Sequence, residues 1–561
     1  MKHLYVLLVV LIASTVQGQM TFEKIKLIHP SYASNEIELS ISPSAILELE
    51  EAQKNSIDKH EMYPTGKLIN VEYDFMSKAN WSISDKGERI GKLVIFSNEA
   101  TSLGAYFKDF YLPIGAKLYA YNQNKTRVIG PFSFADNLVE GEFSSGSIKG
   151  NRYVLELVLP QTVQSLPNLI INKIGFQRDP KDLNSSRDFG DSQDCQVNVE
   201  CSEADNWSDQ RNSVVRILLE VNGFLGWCSG TIMNNTYQDC TPYILTADHC
   251  RHGDGGVTAT ESEYNNWEFY FLYESDRCRN PNNESDVTIS KMTGCTKLSS
   301  STNAADGDSD FLLVKLKSNI QSFNKPFYAG WDRRNTAPTS GVMMHHPAGD
   351  IKKISTYTRQ AESSEWDANL VKDSHWKVYW TSTSNGFGVS EGGSSGSAIW
   401  NQNGRVVGQL TGGSSACKDG QGVGPFNPDY FGKMSYNWIW GGSDSTKNLE
   451  YWLDNGRSNL TYIDGINWPC SEGPLNSEEL SVLTEGLKLF PNPSNGNVTI
   501  SVSDESFSQS TLKIFNSIGK LVLFSSLESE KTIDCSDWPK GIYFVNCENK
   551  NSTFTEKLII K

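Results

Sequence analysis

The sequence predicts an all-β protein of several domains. Short apolar runs recur along the chain, and Gly, Asn, Asp or Pro interrupts them at the spacing typical of β-barrels and β-sandwiches. At 561 residues the chain is longer than one hydrophobic core organises, because domains average about 150 residues. Eight of the eleven cysteines lie in the range from Cys195 to Cys417. This clustering indicates one domain in the middle of the chain that is cross-linked by disulfides, which we call the stapled domain.

The first 18 residues have the pattern of a secretory signal peptide. Lys2 and His3 precede an apolar run from Leu4 to Ala13, and Val16-Gln17-Gly18 is a suitable cleavage site. No later apolar run reaches the length of about 18 residues that a membrane-spanning helix needs. We therefore expect a secreted, extracellular protein without a transmembrane segment, whose cysteines form disulfides.

Residues 19–187 predict a separate β-rich domain, which contains no cysteine. Alternating apolar residues at Lys92–Phe96 and Tyr153–Leu159 predict strands, whereas Pro113–Gly115 and Gly130-Pro131 predict turns. The polar stretch from 179 to 194 indicates a linker. Its candidate processing points are Lys181, Arg187 and Gly190.

Residues 188–468 predict the stapled domain, a β-barrel or β-sandwich. Its clearest strands are Ser213–Leu219, Tyr243–Thr246 and Asp310–Leu316, and a late helix is expected at Lys447–Leu453.

Residues 469–486 form a second polar linker. The last region, 487–561, is again β-rich, with a hairpin turn at Ile518-Gly519-Lys520. Its predicted strands are Val498–Val502, Thr511–Phe515, Lys520–Phe524, Gly541–Val545 and Lys557–Ile560.

Charge and ligand types exclude some function classes. The formal net charge is −16, which argues against nucleic-acid binding and is compatible with attraction for basic substrates. His345-His346-Pro347 invites a metal interpretation, but no third ligand accompanies it at a suitable spacing. We expect no metal and no organic cofactor.

The segment from Glu391 to Ser397 is a loop of Gly and Ser followed by the apolar run Ala398–Trp400. Small residues let a serine hydroxyl stand exposed while backbone N–H groups converge on one point, as acyl transfer requires. Such loops are also common without any catalytic role. The interpretation therefore depends on a base and an orienting carboxylate elsewhere.

His249 and Asp310 are the candidates for those two roles. His249 follows a predicted strand, and a histidine is a suitable general base near neutral pH. Asp310 stands at the head of another apolar strand, where a half-buried carboxylate can hold the imidazole in one tautomer. The alternatives are a histidine on a surface loop and a solvated member of the acidic cluster Asp306, Asp308 and Asp310.

The order His, Asp, Ser in a strand-rich domain is that of chymotrypsin-like proteases. The region from about 195 to 465 resembles more specifically the bacterial lysyl endopeptidases, which are trypsin-like serine proteases with a double β-barrel. The matching segments are Cys195–Cys201, Thr246–Cys250, Ser309–Phe311, Ala329–Arg334, His345–Pro347, Gly393–Ser397, Gly408–Leu410 and Tyr451–Asp454.

This resemblance implies a role for each matching residue. His249 would be the base, Asp310 its orienting partner and Ser395 the nucleophile, with the N–H groups of Gly393 and Ser395 as the oxyanion hole. It also implies the disulfides Cys195–Cys417, Cys201–Cys278 and Cys228–Cys250. Cys240 and Cys295 are left over, and we expect them to pair with each other.

Substrate specificity needs a separate acid. Trypsin has its pocket acid six positions before the nucleophile, where this chain has Val389. Asp429 matches the lysine-recognising aspartate of the lysyl endopeptidases, although an aspartate after Pro428 could simply belong to a turn. The segment Leu410-Thr411-Gly412 would pair with the substrate backbone. The family can have a histidine at the position of Thr411, and its absence puts the rate and the pH profile in doubt.

Activation must also differ from that of trypsin. Trypsin has an acid directly before its nucleophile to pair with the new N-terminus, and this chain has Ser394 there. Residues 19–187 resemble the propeptides of these proteases, which assist folding and block the site. Lys181 would be a self-cleavage point, and the mature chain would begin between Asp188 and Gly190.

The last 75 residues resemble the C-terminal sorting domains of type IX secretion cargo, which are small β-sandwiches. The resemblance rests on Leu489–Pro493, Gly519-Lys520, Lys540–Tyr543 and Lys557–Lys561. It implies the secretion machinery as a partner and allows attachment to the cell surface. A stalk or carbohydrate-binding module is the alternative.

The sequence thus predicts a secreted, monomeric serine endopeptidase that cuts after lysine in protein or peptide substrates. One alternative cuts after Arg and Lys equally. Another is an inactive protease homologue that acts as a surface adhesin.

Overall fold

A computed structural model describes most of the chain. The described residues are 35–55, 62, 64–137, 141–163, 165–178, 189–253, 256–301, 308–366, 371–418, 421–422, 427–470, 487–502, 510–516, 521–536, 538–548 and 553–561. The predicted signal peptide, the processing points Lys181 and Arg187, most of the linker 469–486 and the predicted turn at Ile518–Lys520 lie outside these ranges. Strands make up 47% and helices 11%, so the predicted all-β class is confirmed. Within the described ranges, no helix is long and apolar enough to cross a bilayer.

The chain divides into two compact units, Met1–Ser471 and Glu472–Lys561. The first unit begins with a region of ten strands and two helices. In chain order these are β1 (Asn35–Glu38), α1 (Pro43–Asn55), β2 (Pro64–Asp74), α2 (Phe75–Lys78), β3 (Asn80–Ile83), β4 (Arg89–Phe96), β5 (Ser102–Tyr111), β6 (Lys117–Asn122), β7 (Val128–Phe132), β8 (Phe143–Lys149), β9 (Arg152–Leu159) and β10 (Asn168–Gln177).

The middle of the chain continues the first unit. Its elements are β11 (Val197–Asn198), α3 (Ser208–Arg211), β12 (Val214–Val221), β13 (Phe224–Met233), β14 (Tyr243–Ala247), β15 (His252–Gly253), β16 (Val257–Thr258), α4 (Glu261–Tyr264), β17 (Glu268–Phe271), β18 (Ser290–Thr293), β19 (Cys295–Ser300), β20 (Phe311–Leu316), β21 (Phe327–Tyr328), β22 (Trp331–Asp332), β23 (Gly341–His345), β24 (Lys353–Tyr357), β25 (Glu362–Ser364), β26 (His375–Val378), β27 (Ala398–Asn401), β28 (Val406–Gly413), β29 (Cys417–Lys418), β30 (Gln421–Gly422), β31 (Asp429–Lys433), α5 (Met434–Asn437), α6 (Glu450–Leu453), β32 (Tyr462–Ile463) and β33 (Ile466–Asn467).

Two sheets dominate this middle region. One has the order β18-β17-β12-β13-β2-β10-β5-β8, with β14, β20 and β19 branching from β13. The other has the order β11-β24-β23-β27-β28-β31-β26-β25, with β22 and β32 attached. Among the described strands, both sheets have end strands that pair on one side only. Closure into two barrels therefore stays a prediction.

The first of these sheets joins residues 64–177 to the middle region. The edge of β13 pairs with β2, with Phe224 opposite Lys67 and Leu225 opposite Gly66. Strand β13 can present this edge because the hairpin β12–β13 turns tightly at Asn222-Gly223, where both residues have positive φ. The predicted domain boundary at 187/188 stays a prediction, but the two regions share one sheet in this chain.

One local prediction was wrong, and another was correct except at its first residue. Gly130-Pro131 does not form a turn but lies inside β7, which is an edge strand where a proline costs no ladder hydrogen bond. The late helix begins at Glu450 rather than at Lys447, because the N–H of Lys447 closes a turn onto the carbonyl of Asp444.

The disulfide prediction Cys240–Cys295 was also wrong. Cys240 pairs with Cys470, because β33 pairs with β21 and brings the end of the first unit back to the Cys240 loop. Cys295 is a free, buried thiol, and burial raises its pKa well above the usual value. The other pairs are Cys195–Cys417, Cys201–Cys278 and Cys228–Cys250.

The second unit consists of two small sheets around one core. Its strands are β34 (Leu487–Phe490), β35 (Asn497–Val502), β36 (Ser510–Asn516), β37 (Leu521–Leu527), β38 (Glu530–Asp534), β39 (Gly541–Glu548) and β40 (Thr553–Ile560). Alternate residues of β35 and β36, such as Val498 and Ile514, face the core. Cys535 and Cys547 lie buried in this core.

Candidate active site

His249 and Asp310 form a buried hydrogen-bonded pair. His249 lies in the short 3-10 turn after β14, and β14 pairs with β20 so that Ala247 is opposite Phe311. The carboxylate of Asp310, directly before β20, lies 2.7 Å from His249 Nδ1 and also accepts the backbone N–H of His249 at 2.8 Å. Asp310 is fully buried, so it is not a solvated member of the acidic cluster.

The backbone around Asp310 is fixed from the other sheet. Asp310 has a left-handed φ of 61°, a conformation that costs energy for a non-glycine residue. Gln409 Nε2 donates to the carbonyl of Ser309 at 2.6 Å, and Asn437 Nδ2 donates to Gln409 Oε1 at 2.8 Å. The Ser309 hydroxyl closes this ring of hydrogen bonds on Asn437 Oδ1. These bonds compensate for the strain and orient the carboxylate.

The disulfide Cys228–Cys250 lies beside the histidine. The two sulfur atoms and a ring nitrogen of His249 lie within 4.8 Å of one another, which is a distance that suits a metal site. Because both sulfur atoms are joined to each other, neither is a thiolate ligand. The arrangement ties the turn that carries His249 to β13.

Three serines of the loop 391–397 have different surroundings. The hydroxyl of Ser394 lies 2.7 Å from His345 Nδ1 and accepts the N–H of Glu391 at 3.0 Å, and Ser397 Oγ donates to the carbonyl of Ser394 at 2.6 Å. Both of these serines are buried. Ser395 is partly exposed, and within the described residues its hydroxyl makes no hydrogen bond. It is the serine of this loop whose oxygen is available for chemistry.

The loop packs against the strand that leads to His249. The N–H of Ser229 donates to the carbonyl of Ser395 at 2.9 Å, and Thr246 Oγ1 donates to the carbonyl of Ser229 at 2.8 Å. Gly396 has a φ of 81°, and a Cβ there would lie 2.1 Å from Thr246 Oγ1 and 2.6 Å from the backbone nitrogen of Ala247. Only glycine allows this approach. The fold therefore brings the Ser395 loop to the end of β14, next to His249.

The backbone N–H groups of Gly393 and Ser395 are available to a ligand. The N–H groups of Ser394, Gly396 and Ser397 donate to carbonyl oxygens of the protein, whereas those of Gly393 and Ser395 have no acceptor among the described residues. Gly393 has a φ of 95°, and its carbonyl accepts the hydroxyl of Ser229 at 2.9 Å. The N–H of Gly393 shares its peptide plane with the carbonyl of Gly392, which accepts the N–H of Ala348 at 2.7 Å, so this N–H is fixed in orientation.

Asp429 is a buried carboxylate with three donors around it. Trp380 Nε1 donates to its Oδ2 at 2.7 Å, Ser415 Oγ donates to the same oxygen at 2.5 Å, and the N–H of Ser415 donates to Oδ1 at 3.2 Å. Ser415 Oγ also accepts the N–H of Ser390, which directly precedes the loop 391–397. Asp429 begins β31 and pairs with Gly413 of β28, so the turn interpretation does not apply.

The segment Leu410-Thr411-Gly412 runs along the free side of β28. Strand β27 ends its pairing with β28 at Ala398 opposite Gln409. Beyond this pair, the N–H of Leu410 donates to the carbonyl of Ser397 at 2.8 Å, and the carbonyl of Leu410 accepts the N–H of Gly396 at 2.9 Å. The side chain of Thr411 lies 3.1 Å from His375 Nε2. Burial lowers the pKa of His375 to about 3, so this ring is neutral at physiological pH.

The pair His345-His346 is structural. His345 Nδ1 lies 2.7 Å from Ser394 Oγ, and burial lowers the pKa of His345 to about 3. His346 Nδ1 donates to the carbonyl of Asp350 at 2.9 Å. His345 thus contacts the loop 391–397 directly, and His346 closes the neighbouring turn.

Several residues around the site lack a recognisable sequence signal. Trp380, Ser415 and His375 lie in loops or strands that match no motif. For Ser229 a sequence signal exists. It lies next to Cys228 in the small-residue segment Cys228-Ser229-Gly230, which could have indicated a residue that supports the site.

Two family models match this chain. The lysyl endopeptidase C-terminal domain matches residues 189–432, which include His249, Asp310, Ser395 and Asp429. The secretion system C-terminal sorting domain matches residues 488–561.

Solved structures of serine proteases are similar to parts of the chain. A thermostable serine protease from an extremophilic microorganism has 16% identity and a TM-score of 0.27, and the match covers 40% of this chain and 92% of that one. The protease Anisep from Arthrobacter nicotinovorans has 15% identity, a TM-score of 0.28 and coverages of 40% and 94%. A Glu endopeptidase has 17% identity, a TM-score of 0.27 and coverages of 44% and 92%.

The two matched regions account for the stapled middle of the chain and for its C-terminal unit. The sorting domain marks the protein for secretion. Residues 189–432 match the C-terminal domain of lysyl endopeptidases, and the protein is a serine endopeptidase.

Proposed function

We propose that the protein cuts peptide bonds after lysine through an acyl-enzyme on Ser395. The observation that carries this proposal is the buried His249–Asp310 pair beside a loop in which Ser395 alone has a partly exposed hydroxyl without a protein partner among the described residues. When a carboxylate holds a histidine at Nδ1, the other ring nitrogen, Nε2, can accept the proton of the serine hydroxyl. This arrangement suits a general base that also returns the proton to the leaving amine.

The reaction follows from these positions. His249 takes the proton of Ser395 Oγ as this oxygen attacks the substrate carbonyl, and Asp310 stabilises the imidazolium that forms. The N–H groups of Gly393 and Ser395 donate to the oxyanion, where losing one donor typically costs about 100- to 1000-fold in rate. The amine leaves with the proton from His249, and water then cleaves the ester by the same steps.

Specificity for lysine rests on Asp429. A buried carboxylate selects a basic side chain by a charge-assisted hydrogen bond, and Trp380 and Ser415 fix its orientation. A compact ammonium needs a single acceptor, whereas a planar guanidinium needs two acceptors in a fork. Because both oxygens of Asp429 already accept hydrogen bonds, the pocket is better suited to the ammonium. The free side of Leu410–Gly412 would pair with the substrate backbone.

Residues 19–187 would act as a propeptide that blocks the site. Two contacts support this role. Strand β2 occupies the edge of β13, and Met62, just before β2, is buried in the same apolar cluster as Cys228 and Cys250. Residues of the N-terminal region thus contribute to the same core as the disulfide beside His249. Export would use the type IX machinery that reads the sorting domain. Self-cleavage at Lys181 and a mature chain that begins between Asp188 and Gly190 would release the protease, which we expect to act as a monomer.

The test is a digest of an unstructured protein by the purified mature enzyme, with every cut identified by mass spectrometry. We expect cuts almost wholly after lysine, and a loss of about 100-fold or more in kcat/KM for Asp429→Asn, because a charge-assisted bond worth roughly 3 kcal/mol or more is removed. Fluorophosphonate labelling of Ser395 in both proteins is the control for an intact nucleophile.

Two other results of this digest would favour the two alternative functions. Equal cutting after Arg and Lys would retain the mechanism and remove the lysine claim. No cutting and no labelling of Ser395 would favour the inactive adhesin.

A further inference from the structure

The segment from Gly190 to Gln196 makes polar contacts with a buried carboxylate. The N–H of Gly190 donates to Asp350 Oδ1 at 2.7 Å, and Ser192 Oγ donates to Asp350 Oδ2 at 2.5 Å. Asp350 is 1% exposed, and its other close neighbours are the N–H of Ile351 and, at 3.9 Å, Nζ of Lys353. Residues 190 and 192 thus supply two of the three hydrogen bonds to this buried carboxylate, which needs such partners to be stable.

Asp350 follows directly on the turn that supports the nucleophile loop. The N–H of Ala348 in this turn donates to the carbonyl of Gly392 at 2.7 Å. A Cβ added to Gly393 would lie 2.9 Å from both the Gly349 nitrogen and the His346 oxygen, so the two backbones are in direct contact. His346 Nδ1 donates to the carbonyl of Asp350 at 2.9 Å and closes the turn.

The same segment also holds the other end of this loop. Gln196 Nε2 donates to Glu391 Oε1 at 2.6 Å and to the carbonyl of Val389 at 2.8 Å. The N–H of Gln193 donates to the same carboxylate oxygen of Glu391 at 3.2 Å. Residues 190–196 therefore contact the nucleophile loop directly at 389–391, and through Asp350 at 392–393.

We propose that Asp350 is a positioning residue. It ties the N-terminal segment of the protease domain, residues 190–196, to the nucleophile loop, residues 389–397. By anchoring Gly190 and Ser192, it fixes the turn 346–349 and, through that turn, the peptide N–H groups of Gly393 and Ser395. The proposal rests on the oxyanion role proposed above for these two groups. A mature chain that begins no later than Gly190 retains both donors, and one that begins after Ser192 loses them.

The test compares two variants of the full chain with a matched control. Asp350→Ala removes the anchor, Ser192→Ala removes one donor, and Asp454→Ala removes a similarly buried carboxylate elsewhere. Asp454 is 3% exposed and accepts the N–H and Oγ of Ser458, so its surroundings are like those of Asp350. For each mature enzyme, kcat, KM, the rate of fluorophosphonate labelling of Ser395 and Tm are measured on whichever peptide substrate the wild type cuts.

We expect Asp350→Ala to lower kcat and the labelling rate together by about 10- to 100-fold, because displacing catalytic groups by about 1 Å costs up to about 100-fold. KM should stay within about twofold, since the Asp429 pocket is untouched. Ser192→Ala should show the same pattern at about two- to fivefold. Asp454→Ala should lower Tm without lowering kcat.

Three results would overturn the proposal. They are an unchanged kcat in folded Asp350→Ala, a loss that appears in KM instead of kcat, and an equal loss of kcat in Asp454→Ala. If Asp350→Ala does not fold, an unchanged kcat in Ser192→Ala is decisive against it. A wild-type enzyme that neither cuts peptides nor labels at Ser395 would instead refute the proposed function.

Discussion

The region that carries His249 and the region that carries Ser395 are stabilised differently. His249 donates two hydrogen bonds to one carboxylate, that of Asp310, and one disulfide ties the turn that carries it to β13. The loop of Ser395 is instead held by segments from distant parts of the sequence, among them Ser229, Ala348, Gln196 and Ser415. Among the hydrogen bonds described here, those of His249 go to Asp310, whereas the Ser395 loop is held by many long-range contacts.

The largest expected effect separates two serines of the loop, Ser395 and Ser394. Ser395→Ala should lower kcat by at least about 10⁴-fold, because the nucleophile itself is lost. Ser394→Ala should reduce kcat by less than tenfold and lower stability by about 1–2 kcal/mol, because it removes a buried hydrogen bond to His345. Steady-state kinetics and thermal unfolding of both variants measure the two effects. Comparable losses of kcat would show that exposure does not identify the nucleophile.

The next effect tests whether the base depends on one partner. Asp310→Asn should lower kcat by about 10⁴-fold with little change in KM, since the amide favours the wrong tautomer of His249. Asp248→Asn is the matched control: Asp248 is equally buried and adjacent, but it binds Arg251 and His252. We expect less than a tenfold loss of kcat in the control. A similar loss in both variants would mean that the acidic environment matters and not the single bond.

The same contrast explains what the sequence could predict. His249 and Asp310 stand next to strands that periodicity reveals, so the pairing of β14 with β20 brings together two residues that were already candidates. The all-β class and most strands were predictable for the same reason. Asp429 was predictable through its resemblance to a family position, but nothing in the sequence indicated that Trp380 and Ser415 hold it.

Contacts between distant segments were not predictable. Cys240 was assigned to Cys295 by elimination, and the true partner Cys470 was assigned to a linker, because chain order does not show that β33 returns to β21. The pairing of β2 with β13 depends likewise on an edge that only the folded sheet exposes. Gly130-Pro131 was assigned to a turn because local propensity does not distinguish an edge strand from a turn.

A smaller effect tests the long-range support of the nucleophile loop. Ser229 Oγ donates to the carbonyl of Gly393 and accepts the N–H of His346, both at 2.9 Å. Ser229→Ala should lower kcat about tenfold and stability by about 1–3 kcal/mol, because two buried backbone groups lose their partner. Ser213→Ala is the control, since Ser213 is fully buried and donates to Gln210 away from the loop. A loss of kcat in the control as large as in Ser229→Ala would contradict a specific support.

The smallest effect concerns the pH dependence of stability in the nucleophile region. Burial, assisted by Lys353, lowers the pKa of His345 from about 6.5 to about 3. Between these values the unfolded chain binds a proton that the folded protein excludes, so this residue makes stability fall as the pH drops from 6.5 towards 3. In His345→Gln the difference in Tm between pH 7 and pH 4 should be smaller than in the wild type by a few degrees. His375 has the same shift and lies in the same sheet, so adding His375→Gln should reduce the difference further. An unchanged difference in both variants would show that acid destabilises the protein elsewhere, and the pH response would then not distinguish the two regions.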